Sequence, residues 1–366
     1  MKGSLNLGKI AGIKLRIHWT FLILIVWVSW MHANMGYNFQ EILMVLAFVM
    51  TIFVCIVLHE LGHALVARKY NIDTKDITLL PIGGLARLEK MPDEPVQEFW
   101  IAIAGPLVNG VIAGLLSIVI GVTGTIPAEI LEGKITSNNF LFHLMSVNIF
   151  LIVFNLIPAF PMDGGRIFRA LLSLRINRIK ATRIASSLAQ VIAILFIFLG
   201  LFSNPFLILI GIVVYLGAQM ETQLTEAKFV LSGYKVKDVM MGNISMLKEN
   251  DPLSKAIETL LNEQSKEFLV ISNNSENKEV VGILTRDDII RGLADKGKGT
   301  SISSVMTKEF KILAPEMPME EVYSIMQQNG STLLPVITNN KLEGALDLEN
   351  VMEFIMVQTA INGNKQ

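Results

Sequence analysis

The strongest constraint on this chain of 366 residues is a series of long apolar segments within its first 222 residues. Six of them approach or exceed the length of about 20 residues that a helix needs to cross a membrane. Repeated segments of this kind exclude an ordinary soluble fold, so we expect an α-helical membrane domain with about six transmembrane helices. The segments cover residues 18–36, 41–68, 98–124, 139–157, 182–202 and 205–222.

Charged residues are distributed unevenly along the chain. Residues 1–232 contain 30 charged side chains, whereas the shorter stretch 233–366 contains 33. This contrast predicts a membrane half followed by a soluble half, and neither has a basic stripe rich enough to indicate a nucleic-acid partner. The predicted parts are a transmembrane domain (1–222), a linker (223–234) and two soluble domains (235–297 and 298–366).

The positions of Lys and Arg between the apolar segments predict the topology. Fifteen lie in the N-terminal tail and in the loops after the second and fourth segments, and one, Lys134, lies in the alternate loops. Because cytoplasmic loops are enriched in Lys and Arg, we expect the N terminus and the soluble half to be cytoplasmic. We see no organelle-targeting segment and expect the plasma membrane of a prokaryote.

The soluble half contains two similar stretches, residues 235–294 and 300–360. Each predicts a helix, a strand, a glycine-led strand and a second helix, and each has a Val-Met pair near its start, at Val239 and Val305. An internal repeat of this kind predicts two α+β modules packed about a pseudo-twofold axis.

The second apolar segment contains the sequence H-E-L-G-H, from His59 to His63. Residues four positions apart lie on one face of a helix, so both imidazoles can bind one metal ion while Glu60 accepts a proton from a water molecule. The alternative is two histidines on the face of an amphipathic helix end. Two His and one Glu within a membrane are costly unless they are paired or bind a metal, which favours the metal interpretation.

A catalytic zinc ion needs a third protein ligand and an open position. The candidate is Asp163, in the sequence N-L-I-P-A-F-P-M-D-G-G-R that begins at Asn155. Its prolines predict the end of the fourth helix, and we expect Gly164 and Gly165 to let the chain turn back and present the carboxylate. An Asp at a helix end facing water is equally compatible with the spacing.

These sequences together resemble the site-2 protease family of intramembrane zinc metalloproteases. The resemblance covers residues 12–202 and includes A-G-P-L-V-N in the third apolar segment. It implies hydrolysis of peptide bonds in or near transmembrane segments of membrane protein substrates, with one Zn²⁺ per chain. It also implies residue roles: His59, His63 and Asp163 are zinc ligands and Glu60 is the general base. By the same resemblance, Asn155 is a catalytic residue that polarises or orients the scissile carbonyl, and Asn109 either holds the substrate or packs helices together.

The segment I-T-L-L-P-I-G-G-L-A-R-L, residues 77–88, predicts a β-hairpin that turns at Gly83 and Gly84. A transmembrane substrate must be unwound before cleavage, because a helix hides its carbonyl groups in backbone hydrogen bonds. We therefore expect either that an edge of the hairpin pairs with the extended substrate or that the hairpin is purely structural.

The soluble repeats resemble a tandem pair of cystathionine-β-synthase (CBS) domains. The first repeat has the pattern Gly282, Thr285, Asp288, which in that family often binds adenine nucleotides. The resemblance implies ATP or AMP at Thr285 and Asp288, and a homodimer formed through the CBS domains. The second repeat has Asp347 and Asn350 instead, and Asp347 would repel a phosphate, so we expect one site at most. The alternative is a structural dimerisation module.

The sequence thus predicts an intramembrane zinc metalloprotease that is regulated through cytoplasmic CBS domains and acts on transmembrane proteins in the lipid bilayer. Two other classes remain compatible: a membrane transporter or channel gated by the CBS domains, and a non-catalytic scaffold of the same fold. A transporter is disfavoured because the apolar segments have no evident inverted repeat. A scaffold is disfavoured because every expected catalytic residue is present.

Overall fold

The computed structural model describes two compact units, Met1–Gln223 and Leu224–Gln366. It describes the chain except for residues 1–3, 82, 89–91, 93, 124–134, 264–265, 274–278, 330–332, 340 and 364–366.

The first unit is mainly helical, and all six predicted apolar segments form helices. The helices are α1 (Thr20–Asn34), α2 (Phe39–Lys69), α3 (Pro95–Thr123), α4 (Phe140–Asn155), α5 (Asp163–Ser173), α6 (Arg178–Phe202) and α7 (Pro205–Leu231). Within the described residues, α2, α3, α6 and α7 are long and apolar enough to cross a membrane, as judged from length and composition. The apolar helices α1 and α4 are shorter, with 15 and 16 residues.

Glycine allows α2 and α3 to approach closely. A Cβ atom on Gly62 of α2 would lie 2.8 Å from Val108 Cγ2 and 2.9 Å from the carbonyl oxygen of Ala104, both in α3. These separations are shorter than normal van der Waals contacts, so only glycine fits there. Small residues at such crossings let membrane helices pack backbone to backbone.

A four-stranded sheet accompanies these helices. Its order is β1 (Ser4–Ile10), β2 (Ile13–His18), β3 (Thr74–Leu80) and β4 (Gly83–Leu88), with β2 and β3 parallel and the other pairs antiparallel. The first two strands were not predicted. The chain reverses between Leu80 and Gly83, which are paired, so the predicted turn at Gly83 and Gly84 is wrong. Both glycines belong to β4.

The second unit contains the two predicted repeats. Its sheets are β5-β6-β7 and β8-β9. The elements are α8 (Val236–Val239), β5 (Met246–Lys248), α9 (Leu253–Glu263), β6 (Glu267–Ile271), β7 (Val280–Thr285), α10 (Arg286–Lys296), α11 (Met319–Asn329), β8 (Leu333–Thr338), β9 (Lys341–Asp347) and α12 (Leu348–Gly363).

Each repeat lends a short segment to the sheet of the other. Met241, which follows the first Val-Met pair, exchanges two backbone hydrogen bonds with Ala345 in β9. Thr307, which follows the second pair, does the same with Ile283 in β7. The glycine of β9 permits this contact, because a Cβ on Gly344 would lie 2.7 Å from the carbonyl oxygen of Met241. This reciprocal exchange gives a physical reason for the repeated Val-Met and glycine signals.

Residues 223–231 of the predicted linker (223–234) belong to α7. The last turns of α7 place Ala227 and Leu231 in the core of the second unit, with exposed fractions of 5% and 0%. The apolar residues Leu224, Ala227 and Leu231 follow helical spacing, which is why this stretch continues as a helix with one buried face. The chain therefore passes from the first unit to the second within α7.

Three carboxylates lie close together in the second unit. Glu267 begins β6 and is partly buried, and within the described residues its Oε2 atom has no hydrogen-bond partner. Burial, followed by the negative charges of Asp347 and Asp288, raises the pKa of Glu267 from 4.5 to about 7. Between these two pKa values, Glu267 is therefore protonated in the folded protein and ionised in the unfolded chain.

We predict that Glu267→Gln stabilises the second unit at high pH. Because the folded pKa is raised, the contribution of Glu267 is fully present below about pH 4.5 and is lost as the pH rises through about 7. The substitution should increase the free energy of unfolding at pH 8 by on the order of 1 kcal/mol, discounted for partial exposure. Denaturant unfolding between pH 4 and pH 8 measures this difference.

The exposed Glu258 of α9 provides the matched control. Glu258→Gln should give nearly the same pH profile as the wild type. A loss of stability at pH 8 in Glu267→Gln would contradict the prediction.

Candidate metal centre

The two histidines of H-E-L-G-H lie one turn apart on α2 and face the same point. His59 and His63 are 6% and 8% exposed, and their Nε2 atoms are 3.1 Å apart. Asp163 Oδ2 lies 3.3 Å from His59 Nε2 and 3.2 Å from His63 Nε2. Three side chains with metal-binding atoms, separated by up to 104 positions in the sequence, therefore converge.

Asp163 reaches this point because it begins α5. The preceding residues, 156–162, connect α4 to α5 and are not helical. Gly164 and Gly165, which were expected to let the chain turn back and present the carboxylate, both lie in the first turn of α5. Their physical role is close packing: a Cβ on Gly165 would lie 2.6 Å from the backbone nitrogen of Phe160.

The donor set fits a divalent cation. A carboxylate oxygen and two imidazole nitrogens have lone pairs that repel one another at these distances unless a proton or a cation lies among them. Ligands about 2.0–2.1 Å from a tetrahedral zinc ion are roughly 3.3 Å apart, which agrees with the observed 3.1–3.3 Å. The combination of two His and one carboxylate is also one that catalytic zinc sites use.

Helix α3 orients His63 and closes one side of the site. The Nδ1 atom of His63 lies 2.6 Å from the carbonyl oxygen of Ile101. A carbonyl only accepts, so Nδ1 carries the proton and the lone pair of the neutral ring is on Nε2, facing the site. One turn later, a Cβ on Gly105 would lie 2.6 Å from His59 Nε2 and would overlap His63. Any larger residue at position 105 would fill the metal position.

Glu60 lies next to the two histidines and contacts strand β4. A Cβ on Gly84 would lie only 2.8 Å from Glu60 Cγ. The glycine therefore lets β4 pass beside the carboxylate, which is partly buried. This contact brings an edge strand of the sheet next to the candidate general base.

The two predicted substrate-binding amides have different surroundings. Asn109 lies on α3 one turn after Gly105 and is 0% exposed. Neither its Oδ1 nor its Nδ2 atom has a hydrogen-bond partner among the residues that the structure describes. Asn155 ends α4, and its Nδ2 donates to the carbonyl oxygen of Leu151 at 2.9 Å. Asn109 is thus a buried amide with unused hydrogen-bonding capacity.

The predicted nucleotide residues form a capping box in the second unit. Thr285 precedes α10 and donates its hydroxyl hydrogen to Asp288 Oδ2 at 2.7 Å, while the Asp288 backbone N–H bonds to the Thr285 hydroxyl. In the second repeat, Asp347 accepts the backbone N–H of Asn350 at 2.6 Å. Asp and Thr both cap helix N termini, so the change from Thr to Asp preserves this local structure.

Sequence reasoning missed several groups near the metal centre. It did not identify the contacts of Gly84 and Gly105, because each depends on a distant segment. It also missed the buried ion pairs of Glu98, Arg169 and Glu221. Charged residues inside or beside apolar segments are rare and usually paired or functional. The positions of these residues in the sequence could therefore have indicated that they are paired.

Comparisons with known proteins agree with this division of the chain. The model of peptidase family M50 matches residues 47–200, and the CBS domain model matches residues 236–295 and 302–357. A zinc metalloprotease of Methanocaldococcus jannaschii is 32% identical over 358 residues, which cover 98% of this chain and 97% of the relative.

Two further similarities cover smaller parts of the chain. Stage IV sporulation protein FB of Bacillus subtilis is 31% identical over 131 residues, which cover 35% of this chain and 41% of that protein. The solved structure of a site-2 protease from Methanocaldococcus jannaschii is 39% identical, covers 60% of this chain and 95% of its own, and has a TM-score of 0.45. The zinc metalloprotease that is 32% identical over nearly the whole of both chains, together with the two family models, shows that the chain belongs to peptidase family M50, the site-2 protease family of zinc metalloproteases, and carries a tandem pair of CBS domains.

Proposed function

We propose that this membrane metalloprotease cleaves peptide bonds in or near transmembrane segments of membrane protein substrates. The observation that carries the proposal is the convergence of His59, His63 and Asp163 within 3.3 Å of one another, inside a unit of apolar helices. We assign these three side chains as zinc ligands. Their position on α2 and α5, within or beside candidate membrane spans, favours cleavage within the bilayer.

The residues around the zinc ligands have separate roles in the proposed hydrolysis. When bound, Zn²⁺ polarises the scissile carbonyl and lowers the pKa of a water molecule to about 7. Glu60 accepts the proton of that water as general base, and it later returns a proton to the leaving amine. Asn155 and Asn109 hold the substrate backbone, and the unpaired buried amide of Asn109 supports this role.

Strand β4 is the proposed docking site for the unwound substrate. It is the last strand in the order β1-β2-β3-β4, so one of its edges is not paired within the described sheet. Its residue Gly84 lies against Glu60. An extended substrate segment paired with this edge would pass beside the general base. Such pairing, called β-strand addition, needs only hydrogen bonds between the two backbones.

We further propose six spans, a prokaryotic plasma membrane, and a cytoplasmic N terminus and CBS module. The alternation of Lys and Arg between the apolar segments supports this topology. The two shorter apolar helices, α1 and α4, complete the proposed six. The proposed domain limits remain 1–222 for the membrane domain and 235–297 and 298–366 for the CBS domains.

Substitution of the ligands and of the general base should separate metal binding from catalysis. His59→Ala and Asp163→Asn should reduce bound zinc well below the expected one ion per chain. Glu60→Gln should retain zinc but reduce the cleavage rate by roughly 10²–10⁴, because general-base catalysis is lost. Elemental analysis of purified protein and cleavage of a transmembrane reporter segment measure the two quantities.

A histidine outside the site serves as the matched control. His143 lies on α4 and packs against Phe48 and Phe142, so His143→Ala should keep its zinc. A well-folded wild type without zinc after reconstitution, or full cleavage by Glu60→Gln, would refute the assignment.

Proline substitution along β4 tests the docking of substrate. Successive residues of an antiparallel strand direct their backbone N–H groups to opposite edges, and proline removes the N–H. Single substitutions at positions 85, 86 and 87 should therefore alternate, with cleavage reduced about tenfold or more where the outward N–H is lost. Equal cleavage by all three variants, with intact zinc content, would exclude pairing at this edge.

The CBS module is the proposed regulatory part, through an adenine nucleotide and a homodimer. Asp288 keeps its Oδ1 atom near the protein surface, where it contacts the exposed Arg291 at 3.0 Å. A ribose diol would compete with that weak surface contact. A stripe of apolar residues on α12 supports association with a second copy. These side chains are 42–61% exposed: Met352, Met356, Val357 and Ile361.

Nucleotide addition gives a direct test of this regulation. ATP or AMP at about 100 times its dissociation constant should stabilise the folded protein by about 2.7 kcal/mol, and sedimentation should give the mass of two chains. The thermal shift should disappear in Asp288→Asn and persist in Asn350→Ala, the equivalent position of the second repeat. An unchanged melting temperature with either nucleotide would contradict nucleotide binding, and a single-chain mass would contradict the dimer.

A further inference from the structure

The first unit contains a second group of charged side chains, contributed by four helices; two of these side chains are buried and two are partly buried. Arg169 of α5 and Glu98 of α3 are 1% and 2% exposed. Arg169 donates from Nε to Glu98 Oε1 at 2.8 Å and from Nη1 to Oε1 of Glu221 in α7. Arg178 of α6 lies 3.3 Å from the second oxygen of Glu98. Each of these four charges therefore has an oppositely charged partner, and Arg166 adds a further positive charge that acts on Glu221.

Arg169 belongs to the short helix that begins with Asp163. The two residues are six positions apart on an 11-residue helix. The guanidinium carbon of Arg169 also lies 5.0 Å from the centre of the Phe160 ring, and Phe160 is fully buried in the segment that leads into Asp163. Arg169 thus contacts residues of the neighbouring helices α3 and α7, and it also contacts Phe160 in the segment that precedes α5.

Helix α7 contacts the same segment at two points one turn apart. A Cβ on Gly217 would lie 2.8 Å from Pro161 Cδ, and Glu221 pairs with Arg169. Pro161 is two residues before Asp163. Because α7 continues into the second unit, the ion pair of Glu221 and Arg169 joins this shared helix to the helix of Asp163.

The ion pairs of Arg169 constrain the position of α5 relative to the neighbouring helices. A buried guanidinium donates in fixed directions, and removing one partner of a buried ion pair leaves an uncompensated charge that the surrounding helices must accommodate. The first turn of α5 already packs glycine against backbone at Gly164 and Gly165, so it has little room to move independently. A displacement of Arg169 would therefore be transmitted along α5 to the carboxylate of Asp163.

We propose that Arg169 is a positioning residue for the metal centre, and that Glu221 is the contact through which α7 holds α5 in register with His59 and His63. The proposal rests on the assignment of Asp163 as a metal ligand. Arg169 does not contact the metal; it acts by fixing the helix that presents Asp163. Groups that orient metal ligands typically change metal affinity by 10–100-fold when they are removed.

The test is the metal affinity of full-length protein in detergent, measured by competition with a chelator, together with the visible spectrum of the Co²⁺-loaded form. Glu221→Gln removes one charge and keeps the side-chain shape. We expect the metal affinity to fall by about tenfold or more. The Co²⁺ spectrum should also shift, because the carboxylate of Asp163 is displaced. Arg169→Lys, a second variant that retains the charge but loses the forked donors, should change both quantities in the same direction.

The residue after Glu221 provides a matched control. Thr222 donates its hydroxyl to Ser186 Oγ at 2.7 Å and also contacts the carbonyl oxygen of Ala218, so Thr222→Val weakens the contact of α6 with α7 and spares Arg169. It should keep wild-type metal affinity and spectrum. Equal effects of Thr222→Val and Glu221→Gln, or wild-type values in both Glu221→Gln and Arg169→Lys, would overturn the proposal.

Asp163→Asn distinguishes this failure from failure of the ligand assignment. Its metal affinity should fall further than that of Glu221→Gln. Wild-type affinity in Asp163→Asn would overturn the assignment of Asp163 and the positioning role of Arg169 with it.

Discussion

The first unit is organised around three side-chain atoms that repel one another unless a positive charge lies among them. The Nε2 atoms of His59 and His63 and the Oδ2 atom of Asp163 lie within 3.3 Å of one another in a mainly apolar unit. Such an arrangement is unstable without a proton or a cation among these atoms. Much of the surrounding packing holds these atoms together: Gly105 leaves room for the imidazoles, and Gly164 and Gly165 let α5 begin at the required place.

Apolar surroundings also make an unpaired charge costly, and the most buried charged side chains of this unit are paired. Arg169, Glu98 and Glu221 form a compact group in which each charge has a partner. Asn109 differs, because both of its amide atoms are buried without a partner among the described residues. A buried unpaired amide is costly, and a substrate backbone would satisfy it. The same physical rule therefore separates positioning residues from a candidate substrate-binding residue.

The CBS repeats illustrate how local structure and ligand binding can share one sequence signal. Thr285 and Asp288 form a capping box, so their identities would be favoured even without a nucleotide. Asp347 and Asn350 keep the cap in the second repeat, while the negative charge of Asp347 lies near Glu267 and Asp288. This clustering of carboxylates, which includes Asp288, makes the region unfavourable for a phosphate, so the expectation of one nucleotide site at most stays a prediction.

Periodic and local features could be predicted from the sequence alone. The apolar segments, the shared helix face of His59 and His63 and the two soluble repeats depend on neighbouring residues, and the comparisons confirm the family resemblance. Tertiary structure decided the rest, because it brings distant segments together. Gly84 beside Glu60, the pairing of β2 with β3 and the ion pair of Arg169 with Glu221 each join residues more than 20 positions apart. Backbone pairing and close packing at glycine leave little trace in side-chain periodicity, so only the folded chain determines them.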